Sequence, residues 1–417
     1  MGQAKRLNRL DTILIADFIN HTGDAIFDET LKQALSMELT QSPFLRIASD
    51  LQVGEILQRM GRSPRDGLTP ELAAEICLRI GGKAFLVGTI STLGSRYIVG
   101  VEALGCTNGE TLAAAQAQAE NKEDVLNALG KVASQIRAKV GESLPSLQKY
   151  DFPVNATTQS LEALKVFSIG LKTEHDSGPN QAIPFYQQAI QLDPDFALAY
   201  ATLGRAYEDF GQDEEAVRNY AQAFQLRDRL SEREKYFVTT LYYETVPGDL
   251  EKAKEAGELW VATYPRDGYA REKLGTVYSD LGELERAFYQ CREALQLDPE
   301  SDINVFNMVA GASNLGKLSE SKQILESAQS HGLDGEPIHL ALYELAFQEG
   351  DSAEMEWQLA WGTGKAGAEE MLLAVHSQTE AYFGKIRKAR ELSERVTELA
   401  KETKREKWQQ TIKTSLL

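Results

Sequence analysis

A chain of 417 residues with 42% hydrophobic and 25% charged side chains has room for two or three globular domains. Its net charge of -18 divides unevenly, with -1 over residues 1–150, -22 over 151–384 and +5 over 385–417. The acidic middle repels phosphate backbones and excludes nucleic acid as its main ligand, and no apolar run reaches the 18 residues of a membrane span.

Residues 1–10 read as an amino-terminal tail, and 11–145 as an α/β domain. The stretch ILIADF (13–18) predicts a strand and NHTGD (20–24) a turn. Asp17 interrupts an apolar run already too short for a secretory leader, so the chain is expected in the cytoplasm. Over 25–41, Ile26, Phe27, Leu31, Ala34, Leu35 and Leu39 form a helical stripe. FLRIAS (44–49) is a second strand, with Asp50 as N-cap of the helix after it. Thr69-Pro70 opens another helix. Strands follow at 84–92, 96–105 and 110–119, the last two joined through the hairpin turn Asn108-Gly109, and a helix at 121–143 closes the domain. The order predicts a mixed sheet with helices packed on it. The cysteines Cys77, Cys106 and Cys291 are odd in number, widely spaced and without a CxxC pair; they are expected as buried thiols, with no disulfide and no zinc site.

The motifs ILIADFINHTGD and KAFLVGTIS resemble those of the small α/β domains related to the TolB amino-terminal domain and the CsgG-like fold.

Residues 146–162 read as a linker, and beyond them one pattern recurs. Units begin at Ala163, Ala197, Glu234, Gly268, Asp302, Glu336 and Glu370, giving repeats 163–196, 197–230, 234–267, 268–301, 302–335, 336–369 and 370–403. Their eighth positions hold Gly170, Gly204, Leu241, Gly275, Val309, Tyr343 and Ser377. The fifteenth is glycine from Gly211 through Gly384, and the twentieth is mostly alanine, as at Ala182, Ala216, Ala253, Ala287 and Ala389. Pro194, Pro265 and Pro299 stand near unit ends. Period and offsets resemble those of the tetratricopeptide repeat (TPR), which implies a solenoid of about seven antiparallel helix pairs. Small residues let the two backbones approach, glycine ends the first helix, and proline stops the second. Tyr186, Tyr207, Tyr220, Tyr278 and Cys291 then pack between helices. The interleaved charges of KIRKARELSERVTELAKETKREK form a solvated helix face, and 404–417 a capping helix. The expected fold class is thus α/β plus all-α. The whole chain resembles the carboxy-terminal half of bacterial receptor serine/threonine kinases and CadC-like transcription regulators. In those proteins a kinase or winged-helix domain and a membrane span come first; this sequence carries neither.

No chemistry-bearing motif survives inspection. WGTGKAG (361–367) lacks the first glycine of a phosphate loop, has Ala366 where a hydroxyl is needed, and follows no strand. Kinase signatures and GxSxG are absent, and His21, His175, His331, His339 and His376 show no metal spacing. Asp17, Asp24 and Asp28, with Asn20, His21 and Thr22, cluster where a nucleotide or metal could sit, but turn and capping chemistry accounts for them. No enzyme, cofactor or metal is expected. The TPR resemblance implies a concave groove lined by first-helix residues, here Arg205, Glu208, Lys235, Tyr242, Tyr269, Glu272, Ile303 and Phe306, binding a peptide or helix. Phe167 and Leu171 stand where the family's carboxylate clamp has Lys and Asn, so basic or apolar protein segments suit this chain better than acidic tails. Two alternatives stand beside that scaffold: the sensory part of a receptor kinase or CadC-like regulator without its effector, and a nucleotide- or metal-binding α/β domain.

Overall fold

The computed structural model describes residues 11–63, 67–209, 212–365 and 367–402. The tail 1–10 and the capping segment 404–417 lie outside the described residues. The fold is a mixed-sheet α/β domain followed by TPR-like helix pairs.

In the α/β domain, β1 (Thr12–Ile15) takes only the first part of the strand expected at 13–18, a short β2 (Ile19–Asn20) follows just beyond it and runs into the expected turn, and the 3-10 turn Ala25–Phe27 precedes α1 (Thr30–Thr40). There follow β3 (Arg46–Ile47), α2 (Asp50–Arg59), α3 (Pro70–Arg79), β4 (Ala84–Leu93), β5 (Arg96–Gly105), β6 (Thr111–Ala119) and α4 (Val125–Val140). The first strand breaks because Asp17 turns away from β4: its backbone N–H bonds the Leu68 carbonyl at 3.0 Å and its carboxylate takes the Leu68 N–H at 2.6 Å. The N-cap of α2 is Ser49, whose hydroxyl accepts from the Gln52 N–H at 3.1 Å, one residue before the expected Asp50. Strand order is β3-β1-β4-β5-β6, with β2 also on β4. Pairs among β1 to β4 are parallel, and β4–β5 and β5–β6 are antiparallel. Leu14, Ala16 and Phe85 bury one face against Ile56 of α2 and Ala73 and Ile76 of α3. On the other, α4 covers β5 and β6 and packs beside α1.

The cysteine expectation is corrected: Cys77 and Cys106 form a disulfide, and Cys291 alone is free. Cys77 lies in α3, which leads into β4, and Cys106 follows β5. The register pairs Ala84 with Gly105, so the two Cα atoms stand 5.8 Å apart despite 29 residues of separation. The pairing is a product of strand register and not of sequence spacing.

The segment expected as a linker contains two short helices, α5 (Leu144–Tyr150) and α6 (Val154–Thr157). Seven helix pairs follow among the described residues. They are α7 (Leu161–Ser177) with α8 (Pro179–Leu192), α9 (Ala197–Asp209) with α10 (Asp213–Gln225), and α11 (Glu232–Thr245) with α12 (Leu250–Thr263). Next come α13 (Gly268–Asp280) with α14 (Leu284–Leu297) and α15 (Asp302–Asn314) with α16 (Leu318–Ser330). The last are α17 (Glu336–Glu349) with α18 (Ser352–Gly362) and α19 (Ala368–Tyr382) with α20 (Ile386–Glu402). Within-pair turns pass through left-handed glycines at the fifteenth position, Gly248, Gly282, Gly316, Gly350 and Gly384, with φ between 66° and 75°. In the first pair the turn shifts one residue to Gly178, φ 91°, because serine occupies position 177. At the eighth position, Gly204 leaves room for the ring of Tyr220, which is wholly buried. The chain separates into two compact units. The first runs up to Ala206 and includes Ala216–Asp249 and Glu258–Asp267; the second comprises Tyr207–Glu215, Leu250–Gly257 and everything from Gly268 onward. No helix among the described residues is long and apolar enough to cross a membrane.

Candidate functional site

The eight expected groove residues fall into different circumstances. In the first unit, the Arg205 guanidinium of α9 pairs with Glu174 of α7, which also accepts from the Tyr186 hydroxyl at 2.6 Å. Arg205 is therefore committed to a joint between two first helices. Tyr242 of α11 stacks flat on Phe224 of α10, with ring centroids 3.9 Å apart and planes 8° apart. Lys235 is half-buried on the same helix. In the second unit, Glu208, Tyr269 and Glu272 are half-buried. The Cys291 thiol is pushed up to about 11, first by burial and then by the Glu272 charge, so it is a poor nucleophile. Phe306 of α15 packs between an inner cluster around Val309 and Ile338 and a second around Leu340 and Tyr343. Ile303, one turn earlier on α15, remains 39% exposed.

The carboxylates at the first strand's end are engaged by their own domain. Asp17 holds the Lys32 ammonium at 2.8 Å as well as the Leu68 N–H. Burial pulls the Lys32 pKa down, but Asp50 and Asp17 outweigh it and hold it above the ordinary lysine value. Asp24 caps the 3-10 turn through the Ile26 N–H at 3.1 Å and pairs with Lys122 at 2.8 Å. That hydrogen bond with Lys122, helped by the Ile26 N–H, keeps the Asp24 carboxyl below its usual range. Asp28 accepts from Asn20 at 2.8 Å, and the other amide atom of Asn20 takes the Thr22 N–H and hydroxyl. Capping and turn chemistry thus use these side chains. No group of three metal-ligating side chains forms among the described residues. Trp361 and Gly362 of the WGTGKAG stretch end α18, and the Lys365 ammonium lies 3.4 Å from the centroid of the Trp361 ring.

Sequence reasoning missed a buried polar network in the first unit. Arg137 of α4 and Glu142 are both fully buried and bind through two contacts, Nε–Oε2 at 2.8 Å and Nη2–Oε1 at 3.0 Å. Glu142 also accepts from Ser42 at 2.7 Å and Ser146 at 2.6 Å. Burial alone would raise the Glu142 pKa, but Arg137 and the two hydroxyls outweigh it and the carboxyl lies below its ordinary value. Arg137 continues to the Tyr150 carbonyl at 3.1 Å and to Asp151 at 3.2 Å. At the end of α1, Glu38 accepts the Val154 N–H at 2.7 Å, Gln41 accepts the Phe152 N–H at 2.7 Å, and the Gln41 carbonyl accepts the Tyr264 hydroxyl at 3.0 Å. The only sequence signal was an arginine inside the apolar stripe of α4, between Ile136 and Val140. Beside this network a cleft of about 750 Å³ is lined by Gln118 of β6 and Glu120 just after it, Asp124 just before α4, Lys131 of α4, and Asp151.

A tetratricopeptide-repeat family model matches residues 185–218. No curated protein matches the sequence. Among solved structures, the chain is similar to PilW, a widely conserved type IV pilus biogenesis factor, at 15% identity, with 51% of this chain and 98% of that one covered and a TM-score of 0.40. A thermophilic TPR protein of Thermus thermophilus is 18% identical over 43% of this chain and 95% of its own, with a TM-score of 0.37. The C-terminal domain of LpoB from Salmonella enterica is 19% identical over 28% of this chain and 89% of its own, with a TM-score of 0.26. Likenesses of this size say nothing about what the chain binds.

Proposed function

We propose that the chain is a non-enzymatic interaction scaffold whose first-helix faces take a peptide or helical segment of another protein, basic or apolar in character. The observation that carries this is Ile303. A large aliphatic side chain stays 39% exposed on the first helix of its pair, one turn from half-buried Phe306. An exposed aliphatic next to an aromatic is an anchor for a partner side chain. Net charge of -22 over residues 151–384 favours basic over acidic partners. A photo-cross-linker placed at Ile303, and in a parallel variant at exposed Glu326 of α16, tests it. Partner adducts should form from position 303 and not from 326; equal yields from both, or adducts from 326 alone, would refute the groove.

A second reading, the sensory part of a receptor kinase or CadC-like regulator, is favoured by the Cys77–Cys106 disulfide. Disulfides persist in oxidising compartments, which weighs against the cytoplasmic expectation and suits a domain displayed beyond a membrane.

A further inference from the structure

Among the described residues, α17 carries a carboxylate without a counter-ion. Pro337, Leu340, Glu344 and Phe347 follow one another on this helix at intervals of three and four residues and share one face. Leu340 and Phe347 pack with Phe306 of α15 and Met371 of α19, so that face lies toward the neighbouring first helices on either side. Glu344, in the middle of the stripe, is half-buried. Among the described residues no hydrogen bond and no ion pair reaches it. Burial is the single influence on its pKa and pushes it up. The cations of the flanking elements are engaged elsewhere. Lys385 and Lys388 hold Glu380 at 2.9 and 2.7 Å, Lys365 lies on the Trp361 ring, and Lys322 stands 4.0 Å from Glu349. Arg387 and Arg390 of α20 are exposed and do not reach Glu344. A carboxylate drawn from water without a counter-ion is unfavourable in the free protein, and a cation brought by a partner removes that penalty.

The surroundings choose between cations. Phe347 stands one turn along from Glu344, and its ring meets Tyr382 edge-on at 5.3 Å and Phe383 at 5.9 Å. Tyr382 is 77% exposed and Phe383 57%, so this aromatic edge is open to a visitor. A planar guanidinium forks onto a carboxylate while its flat face lies on an aromatic ring. A compact, strongly hydrated ammonium gives up more water to enter and has no flat face to stack. We propose that Glu344 seats an arginine side chain of the partner segment, its carboxylate holding the guanidinium and the rings of Phe347 and Tyr382 bordering it. The inference rests on the first-helix reading above and names the residue type that this face selects.

In the test, random peptides about a dozen residues long are displayed on phage and selected on the full chain, and the tightest are synthesised with a fluorophore for anisotropy. Each is measured as selected and with citrulline, the neutral isostere, in place of each arginine in turn. The proteins are the parent, Glu344→Gln and Glu326→Gln, Glu326 being an exposed carboxylate on the second helix α16. One arginine should matter: citrulline there should weaken binding to the parent at least tenfold, and lysine severalfold. On Glu344→Gln the arginine peptide should already be at least tenfold weaker, and citrulline should change it less than twofold, as expected of two groups in contact. Glu326→Gln should bind like the parent. Glu344→Gln should melt at or above the parent temperature, because it removes an unpaired, partly desolvated charge. Binding that needs no arginine, or a citrulline effect as large on Glu344→Gln as on the parent, would overturn the proposal. So would misfolding of both Glu344→Gln and Glu344→Ala, because the carboxylate would then serve the fold. A cross-linker at Ile303 reports separately on the groove. Peptides that form adducts there without needing the arginine would refute the role of Glu344 alone, and a selection that yields no binder would remove both readings.

Discussion

Glu38 should make the stability of this protein depend on pH in a direction unusual for a carboxyl group. Its side chain sits at the end of α1, 1% exposed, with Oε1 on the Val154 N–H and Oε2 accepting from the Gln41 amide at 3.0 Å. Burial is the largest influence and favours the neutral acid. The Val154 N–H and Arg137 oppose it, Asp151 and Glu234 add to it, and the pKa is pushed up to about 7 from an ordinary 4.5. A carboxyl that is a weaker acid in the fold than in the unfolded chain contributes stability below the unfolded value and loses it as pH rises through the folded one. At about 1.4 kcal/mol per unit, the loss between pH 4.5 and the region above 7 comes to about 3 kcal/mol. Glu38→Gln keeps an acceptor for Val154 and carries no charge, but sets its amide against that of Gln41, at a pH-independent cost of about 1 kcal/mol. The variant should therefore be slightly less stable than the parent near pH 5 and about 2 kcal/mol more stable near pH 8. Urea unfolding of both proteins at both pH values, followed by circular dichroism, measures the crossing. A stability gap that stays constant with pH, or a parent that gains on the variant at alkaline pH, would refute the reasoning.

Thiol labelling of the unfolded, unreduced chain should modify Cys291 alone, and prior reduction should expose Cys77 and Cys106 as well; mass spectrometry reads the count. Breaking a loop closed over 29 residues should lower stability by about 3.5 kcal/mol, and a Cys77→Ala variant melting with the parent would contradict that. Glycines at the eighth repeat position should differ among themselves. A Cβ at Gly204 would lie 2.8 Å from two ring carbons of Tyr220, whereas at Gly275 the nearest atom is 3.5 Å away. Gly204→Ala should cost about 1–3 kcal/mol by overpacking. Gly275→Ala should be neutral or gain up to about 1 kcal/mol of helix propensity. Thermal melts that rank the two in the opposite order would count against the assigned packing.

What could be read in advance was local. The fifteenth-position glycines announce the turns because only a left-handed residue lets the first helix end there, and the small eighth positions announce close backbones. Thr69 before Pro70 named a helix start correctly, its hydroxyl accepting from the Leu72 N–H. The expected groove residues were harder, because spacing along a helix says which face a side chain shares and not what fills that face. Arg205 lost its freedom to Glu174, thirty-one residues away, and Tyr242 to the ring of Phe224. The disulfide and the buried polar network are more remote still. Ser42 meets Glu142 across 100 residues, and Tyr264 meets Gln41 across 223. No window of sequence contains both partners of such a bond.

These long-range bonds change what the segment between sheet and helices is. A flexible linker would leave its backbone groups to water, but the N–H groups of Phe152 and Val154 are taken by Gln41 and Glu38, and the Tyr150 carbonyl by Arg137. Each acceptor or donor belongs to the α/β domain. The hydroxyl of Tyr264, after α12, ends on the same helix terminus, and its ring meets Tyr150 edge-on at 6.0 Å. Arg137 and Glu142 are stable in a dry interior only while both are present with their further hydrogen bonds, because an unpaired buried charge is strongly destabilising. Cutting the chain at residue 150 would separate Arg137 from Asp151 and strip the covering from Glu142 at once. Residues 150–154 and Tyr264 are therefore anchored on α1 and α4 of the mixed-sheet domain.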